Sequence, residues 1–415
     1  MYQPRIVDSE LRDLLSSVGA VVIEGPKACG KTETARQVAG SEVRLDVEAN
    51  ARRAVSIDPS LVLEGAPPRL LDEWQIAPEL WNHVRRAVDD RRTPGQFILT
   101  GSAIPTDDVT RHTGAGRLAR LRMRPMSLYE SGHSSGQVSL SALLGGGSPR
   151  APDTGTTVRD LAERITVGGW PGLQGQPVLQ ASRAVRAYVD EVRRTDIQRV
   201  DGVAHEPDKV LLLMRSLARN VSTMTSLATL ARDVGEPDEA LAKNTVSSYH
   251  EALTRLMVVE DQQAWAPHLR SRSRVRTSPR RHFVDPSVAV GVLRATPEWL
   301  LGDLRLLGLL FESLVVRDLR VYAQSSDAQV LHYRDNTDLE VDAIVEAADS
   351  RWAAFEVKLG VGALDEGADS LKRFADRVDT ERCGRPALLG VITGTGFAYV
   401  RPDGVAVIPI GTLGP

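Results

Sequence analysis

Over the first 130 residues, short apolar runs alternate with longer stretches of helical spacing. Val21-Val22-Ile23 is a continuous apolar run closing on Glu24-Gly25, and it predicts a buried strand. A helix is expected from Lys31 to Gly40. Leu70-Leu71 and Phe97-Ile98-Leu99 predict two more buried strands, while Leu80, Val84, Ala87 and Val88 mark one face of a helix between them. Residues 118–130 alternate as a strand would. Strands parted by helices at this spacing predict a mostly parallel α/β sheet. Residues 131–157 are rich in Gly, Ser, Pro and Thr and read as linker or surface loop, with a short helix at Leu140–Leu144. Helical periodicity dominates from Val158 to about Val259. Two short helices there, around 226–235 and 244–255, precede a strand-like run and have the profile of a winged helix-turn-helix. After a helical stretch over 299–323, hairpin-like strands are expected at 330–335, 339–347 and 351–360. A helix and strands at 387–394 and 405–410 complete a third α/β unit. The organisation expected is therefore residues 1–150, 151–298 and 299–415.

The chemistry of the first part is carried by Gly25-Pro26-Lys27-Ala28-Cys29-Gly30-Lys31-Thr32, which fits G-x-x-x-x-G-K-[ST] after a strand and before a helix. In such a loop the backbone N–H groups wrap phosphates, the lysine reaches the β/γ oxygens, and the threonine hydroxyl serves Mg2+. Residues 25–33, Glu33 included, form the expected nucleotide-binding segment. Asp72-Glu73 ends a strand: Asp72 suits a Mg2+ contact and Glu73 suits polarising the attacking water, although acids preceding the next helix are the plainer alternative. Thr100 and Ser102 end the neighbouring strand and could orient water or the γ-phosphate. Of Arg111, Arg117, Arg120, Arg122 and Arg124, Arg117 follows a glycine turn and is the candidate contact to the γ-phosphate, in cis or across a subunit interface. The alternative for each is a solvated surface arginine.

Net charge narrows the class. With 51 Lys+Arg against 54 Asp+Glu the chain is no globally basic nucleic-acid coat, although a local basic patch stays open. Its basic residues are almost all arginine; Lys31 and Lys358 are two of only six lysines. Two cysteines, no apolar leader and no run of about 18 apolar residues point to a reducing, cytoplasmic setting without a membrane span.

GPKACGKT, LLDEW, ILTGS and GRLARLRMRPMSLYE resemble the N-terminal ATPase of a bacterial and archaeal family of AAA+-like proteins with a C-terminal domain of unknown function, DUF4143. The resemblance continues through GGWPG (168–172), RRHFVDPSVA (280–289), LLFESLVVRDL (309–319) and the strands up to FEVKLG. It implies a P-loop NTPase (AAA+-like) domain, a helical and winged-helix middle region, and binding of ATP with Mg2+ through Gly25, Gly30, Lys31, Thr32, Asp72 and Glu73.

In the winged-helix segment Asn244, Thr245, Ser247, Ser248 and His250 would face a DNA groove, and the six arginines between Arg270 and Arg281 could supply phosphate contacts. Packing against protein is the alternative. Further on, Glu340 and Asp342 share one strand face, and Glu356 and Lys358 share another at hairpin spacing. Asp342 and Glu356 could hold a divalent cation, Lys358 could stabilise developing charge, and Glu312 could complete the set. That arrangement is similar to the PD-(D/E)xK nuclease core, a restriction-endonuclease-like α/β fold. Nucleic-acid binding without cutting, or a merely structural face, is the alternative. The reading is a Mg2+-dependent ATPase coupled to a nuclease-like domain acting on DNA. Against it stands an ATP-driven switch or scaffold that binds a protein partner, with a catalytically inactive nuclease-like domain; a homo-oligomer is the assembly expected if Arg117 acts across an interface.

Overall fold

A computed structural model describes residues 2–102, 113–200, 205–234, 242–266 and 278–415. The chain falls into two compact units. The first comprises Met1–Pro125 with Thr195–Ala204 and Glu251–Val258; the second comprises Met126–Arg194, His205–His250 and Val259–Pro415. Arg111 and the arginines from Arg270 to Arg276 lie outside the described residues.

In the first unit five strands, β1 (Ala20–Glu24), β2 (Ser41–Arg44), β3 (Arg69–Asp72), β4 (Phe97–Gly101) and β5 (Leu118–Arg122), form an all-parallel sheet in the order β2-β3-β4-β1-β5. Helices α1 (Val7–Ser17), α2 (Lys31–Arg36), α3 (Ala49–Ile57) and α4 (Leu80–Arg91) connect and cover it. The continuous apolar runs have a simple cause: alternate residues feed two cores. Ala20, Val22, Leu71, Phe97 and Leu99 pack with Leu80, Trp81 and Val84 on one face, while Val21, Ile23, Leu70 and Ile98 pack with Leu11 and Leu15 on the other. The parallel order brings the ends of β1, β3 and β4 to the same edge. That edge carries Gly25, Glu73 and Ser102.

The second unit joins helices to a six-stranded sheet. Its elements are β6 (Val138–Ser139), α5 (Leu140–Leu144), α6 (Val158–Val167), α7 (Val178–Glu191), α8 (Pro207–Arg219), α9 (Leu227–Val234), α10 (Pro286–Leu293), α11 (Pro297–Gly302), α12 (Leu304–Gln324), β7 (Ala328–Arg334), β8 (Glu340–Ala347), β9 (Trp352–Lys358), α13 (Leu364–Arg377), β10 (Leu388–Thr393), β11 (Tyr399–Val400), β12 (Ala406–Pro409) and β13 (Leu413–Gly414). The sheet order is β11-β12-β10-β9-β8-β7. β7, β8 and β9 pair antiparallel, and β9, β10 and β12 pair parallel. The helix expected over 299–323 is interrupted at Asp303, whose side chain accepts the Leu306 N–H and starts α12 afresh.

The stretch read as linker is built into this unit. β6 pairs parallel with β13 and Ser134 Oγ donates to the Leu413 carbonyl (2.6 Å); just ahead of the stretch, the Leu128 N–H donates to Asp318 (3.0 Å). Beneath it lies a buried ion network. Arg317 bonds Asp285 (2.8 Å) and Asp318, Asp285 also accepts the Gly169 N–H (2.9 Å), and Trp170 Nε1 donates to Ser287 (2.9 Å). The segments GGWPG, VDPSVA and VVRDL thus meet as one scaffold. Among the described residues no helix is long and apolar enough to cross a membrane.

His332, on β7, is fully buried, and burial holds its imidazole down at about 3, against an ordinary 6.5. The native state therefore binds fewer protons than the unfolded chain between those values. The stability is present above pH 6.5 and is lost as pH falls toward 3, at about 2 kcal/mol by pH 5. Denaturant midpoints at pH 7.5 and 5.0 should fall for the parent and fall less for His332→Gln. Equal drops would remove His332 from the account.

Candidate functional site

Two clusters of chemistry stand out, one in each unit. In the first, the loop after β1 turns through Ala28 (φ 63°) and Gly30 (φ 104°) into α2. Gly25 is required by packing: a Cβ there would meet the Met123 carbonyl oxygen at 2.3 Å. The close approach at Gly25 is to the chain's own backbone. Lys31 is buried, and its ammonium donates to the carbonyls of Gly25 (2.9 Å) and Pro26 (2.8 Å), so the cation sits across the mouth of its own loop. Thr32 Oγ1 donates to Asp72 Oδ1 (2.8 Å), and Thr100 Oγ1 donates to the same oxygen (2.5 Å). Thr100 thus positions Asp72, a different place from the water-orienting one expected. A hydroxyl and a carboxylate in contact are hard oxygen donors of the kind Mg2+ takes, so the residues fit that ion.

Glu73 sits in the left-handed region (φ 55°, ψ 44°), at a cost of about 1–3 kcal/mol for a non-glycine residue. Its carboxylate accepts from Gln75 Nε2 and from Ser102 Oγ (3.3 Å). The other loop residues have separate tasks. Lys27 pairs with the buried Asp196 of the same unit, leaving Lys31 as the loop cation bound to the loop's own carbonyls. The Glu33 side chain is exposed and pairs with Arg36, and Cys29 is buried beside the Met123 carbonyl.

Arg117 is at the wrong end of the sheet for a cis contact. β5 runs parallel to β1 with Ala20 opposite Leu118 and Glu24 opposite Arg122. Arg117 therefore precedes the strand's first pair while the loop follows its last, about 20 Å away at strand rise. Its guanidinium is held by Asp89 on α4 (2.8 Å). Arg5 was missed. It is buried and donates to the Cys29 carbonyl (2.9 Å) and the Arg124 carbonyl (2.8 Å), bracing the loop from outside its motif. An isolated arginine before a helix carries no pattern that would have revealed it.

The second cluster lies at β8 and β9. Glu312 from α12, Glu340 and Asp342 from β8, and Glu356 and Lys358 from β9 line one cleft of about 430 Å³. Glu356 is buried and accepts from Ser370 Oγ (3.3 Å), Asp342 Oδ2 accepts the Val357 N–H (2.8 Å), and Lys358 Nζ lies 3.7 Å from Glu356 and 3.4 Å from Glu366. Burial, then the Asp342 charge, pushes Glu312 up to about 8 and Glu356 well above the usual carboxyl range. Burial would lower the Lys358 ammonium, but the surrounding carboxylates outweigh it and raise it.

The sequence did not foresee that the buried Arg280 meets carboxylates of this cleft. Its guanidinium bonds Glu312 and Asp342 (2.8 Å) through Nη1 and Glu340 (2.9 Å) through Nη2. Arg281 is likewise held inside the unit, by Asp261 and the Thr225 carbonyl (3.2 Å). These two members of the arginine run are therefore engaged internally and supply no free charge for DNA phosphates. His250, read as a groove contact, lies 3.4 Å from Asp261. Among the described residues no group of three or more His, Cys, Asp or Glu is set to hold a metal.

Residues 17–132 match the model of an AAA domain, and residues 307–413 match that of a domain of unknown function, DUF4143. An AAA domain and a DUF4143 domain are present. The AAA domain holds the phosphate loop, Asp72 and Glu73; the DUF4143 domain holds Glu312 and the β8–β9 carboxylates. Between them, residues 158–298 match a separate domain of unknown function, DUF8612. Among curated proteins the chain is 26% identical over 367 residues to the uncharacterized protein Rv2008c of Mycobacterium tuberculosis, covering 86% of this chain and 74% of that protein. The same figures hold for the uncharacterized protein Mb2031c of Mycobacterium bovis. Among solved structures it is similar to the Walker-type ATPase PABY2304 of Pyrococcus abyssi, at 13% identity and TM-score 0.42 over 69% of this chain and 94% of that one. A DNA replication initiation factor is 15% identical at TM-score 0.23, over 60% and 87%.

Proposed function

We propose that the chain binds and hydrolyses ATP with Mg2+ and couples its nucleotide state to a nuclease-like DUF4143 domain acting on DNA. The observation that carries the ATPase reading is the convergence, at one sheet edge, of the Lys31 ammonium, the Thr32–Asp72–Thr100 oxygens and the Glu73 carboxylate. Lys31 would exchange its loop carbonyls for β/γ-phosphate oxygens. Mg2+ supplies charge neutralisation at those oxygens when bound. Thr32 and Asp72 are the residues that would hold it, with Thr100 fixing the carboxylate rotamer. Glu73 would accept a proton from the attacking water while Gln75 and Ser102 hold its carboxylate. A γ-phosphate role for Arg117 could operate only on a nucleotide bound by a second copy, and self-association is part of this proposal.

The nuclease half rests on the juxtaposition of Glu312, Asp342, Glu356 and Lys358 in one cleft. One observation favours the second reading, an ATP-driven switch or scaffold for a protein partner. Arg280 lies among the carboxylates that a cutting site would need for a cation. Incubation of the purified chain with single-stranded and duplex DNA, with Mg2+ or Mn2+ and with or without ATP, separates them. Metal-dependent cleavage lost in Asp342→Ala supports the first reading. ATP hydrolysis with no cleavage under any condition moves the function to the switch.

A further inference from the structure

The structure assigns to Arg280 the role of a resident cation occupying the place that a divalent ion would take in the DUF4143 cleft, so that the cleft binds such an ion only once the guanidinium is withdrawn. This rests on the reading of that cleft as PD-(D/E)xK-like.

Three carboxylates from two elements converge on one guanidinium: Glu312 from α12, and Glu340 and Asp342 from β8. Arg280 is only 3% exposed, so it is not a surface arginine that has swung onto a convenient acid. Its backbone is delivered by a ribbon. The Arg280 N–H donates to the Gln262 carbonyl (3.0 Å) and the Gln262 N–H returns to the Arg280 carbonyl (2.9 Å). Gln262 Nε2 in turn donates to the carbonyls of Leu331 and Asp342 (3.0 Å each), fastening the ribbon to β7 and to β8 itself. The cation and the carboxylates it neutralises are thus held by one hydrogen-bonded unit.

The donor set explains why a metal does not fit this arrangement. A hard divalent ion gathers carboxylate oxygens at about 2.0–2.6 Å from one centre, whereas the planar guanidinium spreads them over its N–H donors, Glu312 and Asp342 at Nη1 and Glu340 at Nη2. Arginine stays protonated, so it cannot yield the place by losing a proton; the side chain or its ribbon must move. The fit is also imperfect, because the buried Arg280 Nε has no hydrogen-bond partner among the described residues. Removing the guanidinium would leave Glu312, Glu340 and Asp342 as close carboxylates without their shared counter-ion, beside a cleft of about 430 Å³ open to solvent ions.

The test is Mn2+ uptake by the nucleotide-free full chain, read from the loss of the free-ion paramagnetic resonance signal. The parent should leave Mn2+ free. Arg280→Gln and Arg280→Ala should each take up one ion, at least about tenfold more tightly than the parent, and should lose it on addition of Asp342→Asn. An ion held at the phosphate loop would not respond to Asp342→Asn. Parent uptake that vanishes with Asp342→Asn overturns the inference, and so does a folded Arg280→Gln that binds no more Mn2+ than the parent. Should neither Arg280 variant fold, the comparison of parent with Asp342→Asn still decides. Mn2+ uptake by Arg280→Gln without any DNA cleavage leaves this inference in place and removes the nuclease reading.

Discussion

Glu73→Gln should lower the steady-state rate of ATP hydrolysis by about 10²–10⁴-fold while leaving nucleotide affinity within a few-fold of the parent. The amide keeps the shape of the side chain and can still meet Gln75 and Ser102, which hold the carboxylate in the parent. What it removes is the proton acceptor. The turn itself should survive, because the left-handed conformation at this position is imposed by the backbone between β3 and the following turn. Phosphate release measured beside nucleotide affinity separates chemistry from binding. Parent-like hydrolysis by Glu73→Gln would assign the proton to another group.

Lys31→Ala should act on the other quantity. Its ammonium is held by two loop carbonyls and faces no carboxylate within the loop, so exchanging those carbonyls for phosphate oxygens gains charge-assisted bonds. Losing it should weaken ATP binding by about 10–100-fold, corresponding to about 1.5–3 kcal/mol for hydrogen bonds to a charged group. The fold should tolerate the change better than a substitution at Gly25, where any Cβ collides with the Met123 carbonyl. Unchanged affinity in a folded Lys31→Ala protein would place the nucleotide elsewhere.

What could be read from the sequence followed from range. The phosphate loop is contiguous, and its flanking strand is a plain apolar run because β1 is buried on both faces. Asp342 and Glu356 were legible because side chains alternate along strands, and two adjacent hairpin strands bring matching faces together. The cis reading of Arg117 failed because proximity along the chain does not say which end of a parallel strand a residue occupies. Arg122, opposite Glu24, is the arginine at the loop's end. Arg280 was hidden for a different reason. Composition placed it in an arginine run read as a source of phosphate contacts, while its partners lie 32, 60 and 62 residues downstream. The Ser/Gly-rich 131–157 stretch misled in the same way, since Ser134 and Val138 find their partners at the C-terminal end of the chain.

The most direct test of the central claim is a single-turnover assay of γ-labelled ATP with the purified full chain, in Mg2+ and in excess EDTA. The account predicts release of labelled phosphate in Mg2+, and its loss both in EDTA and in Glu73→Gln. A folded parent chain that releases no phosphate in Mg2+, or releases it equally in EDTA, would contradict it.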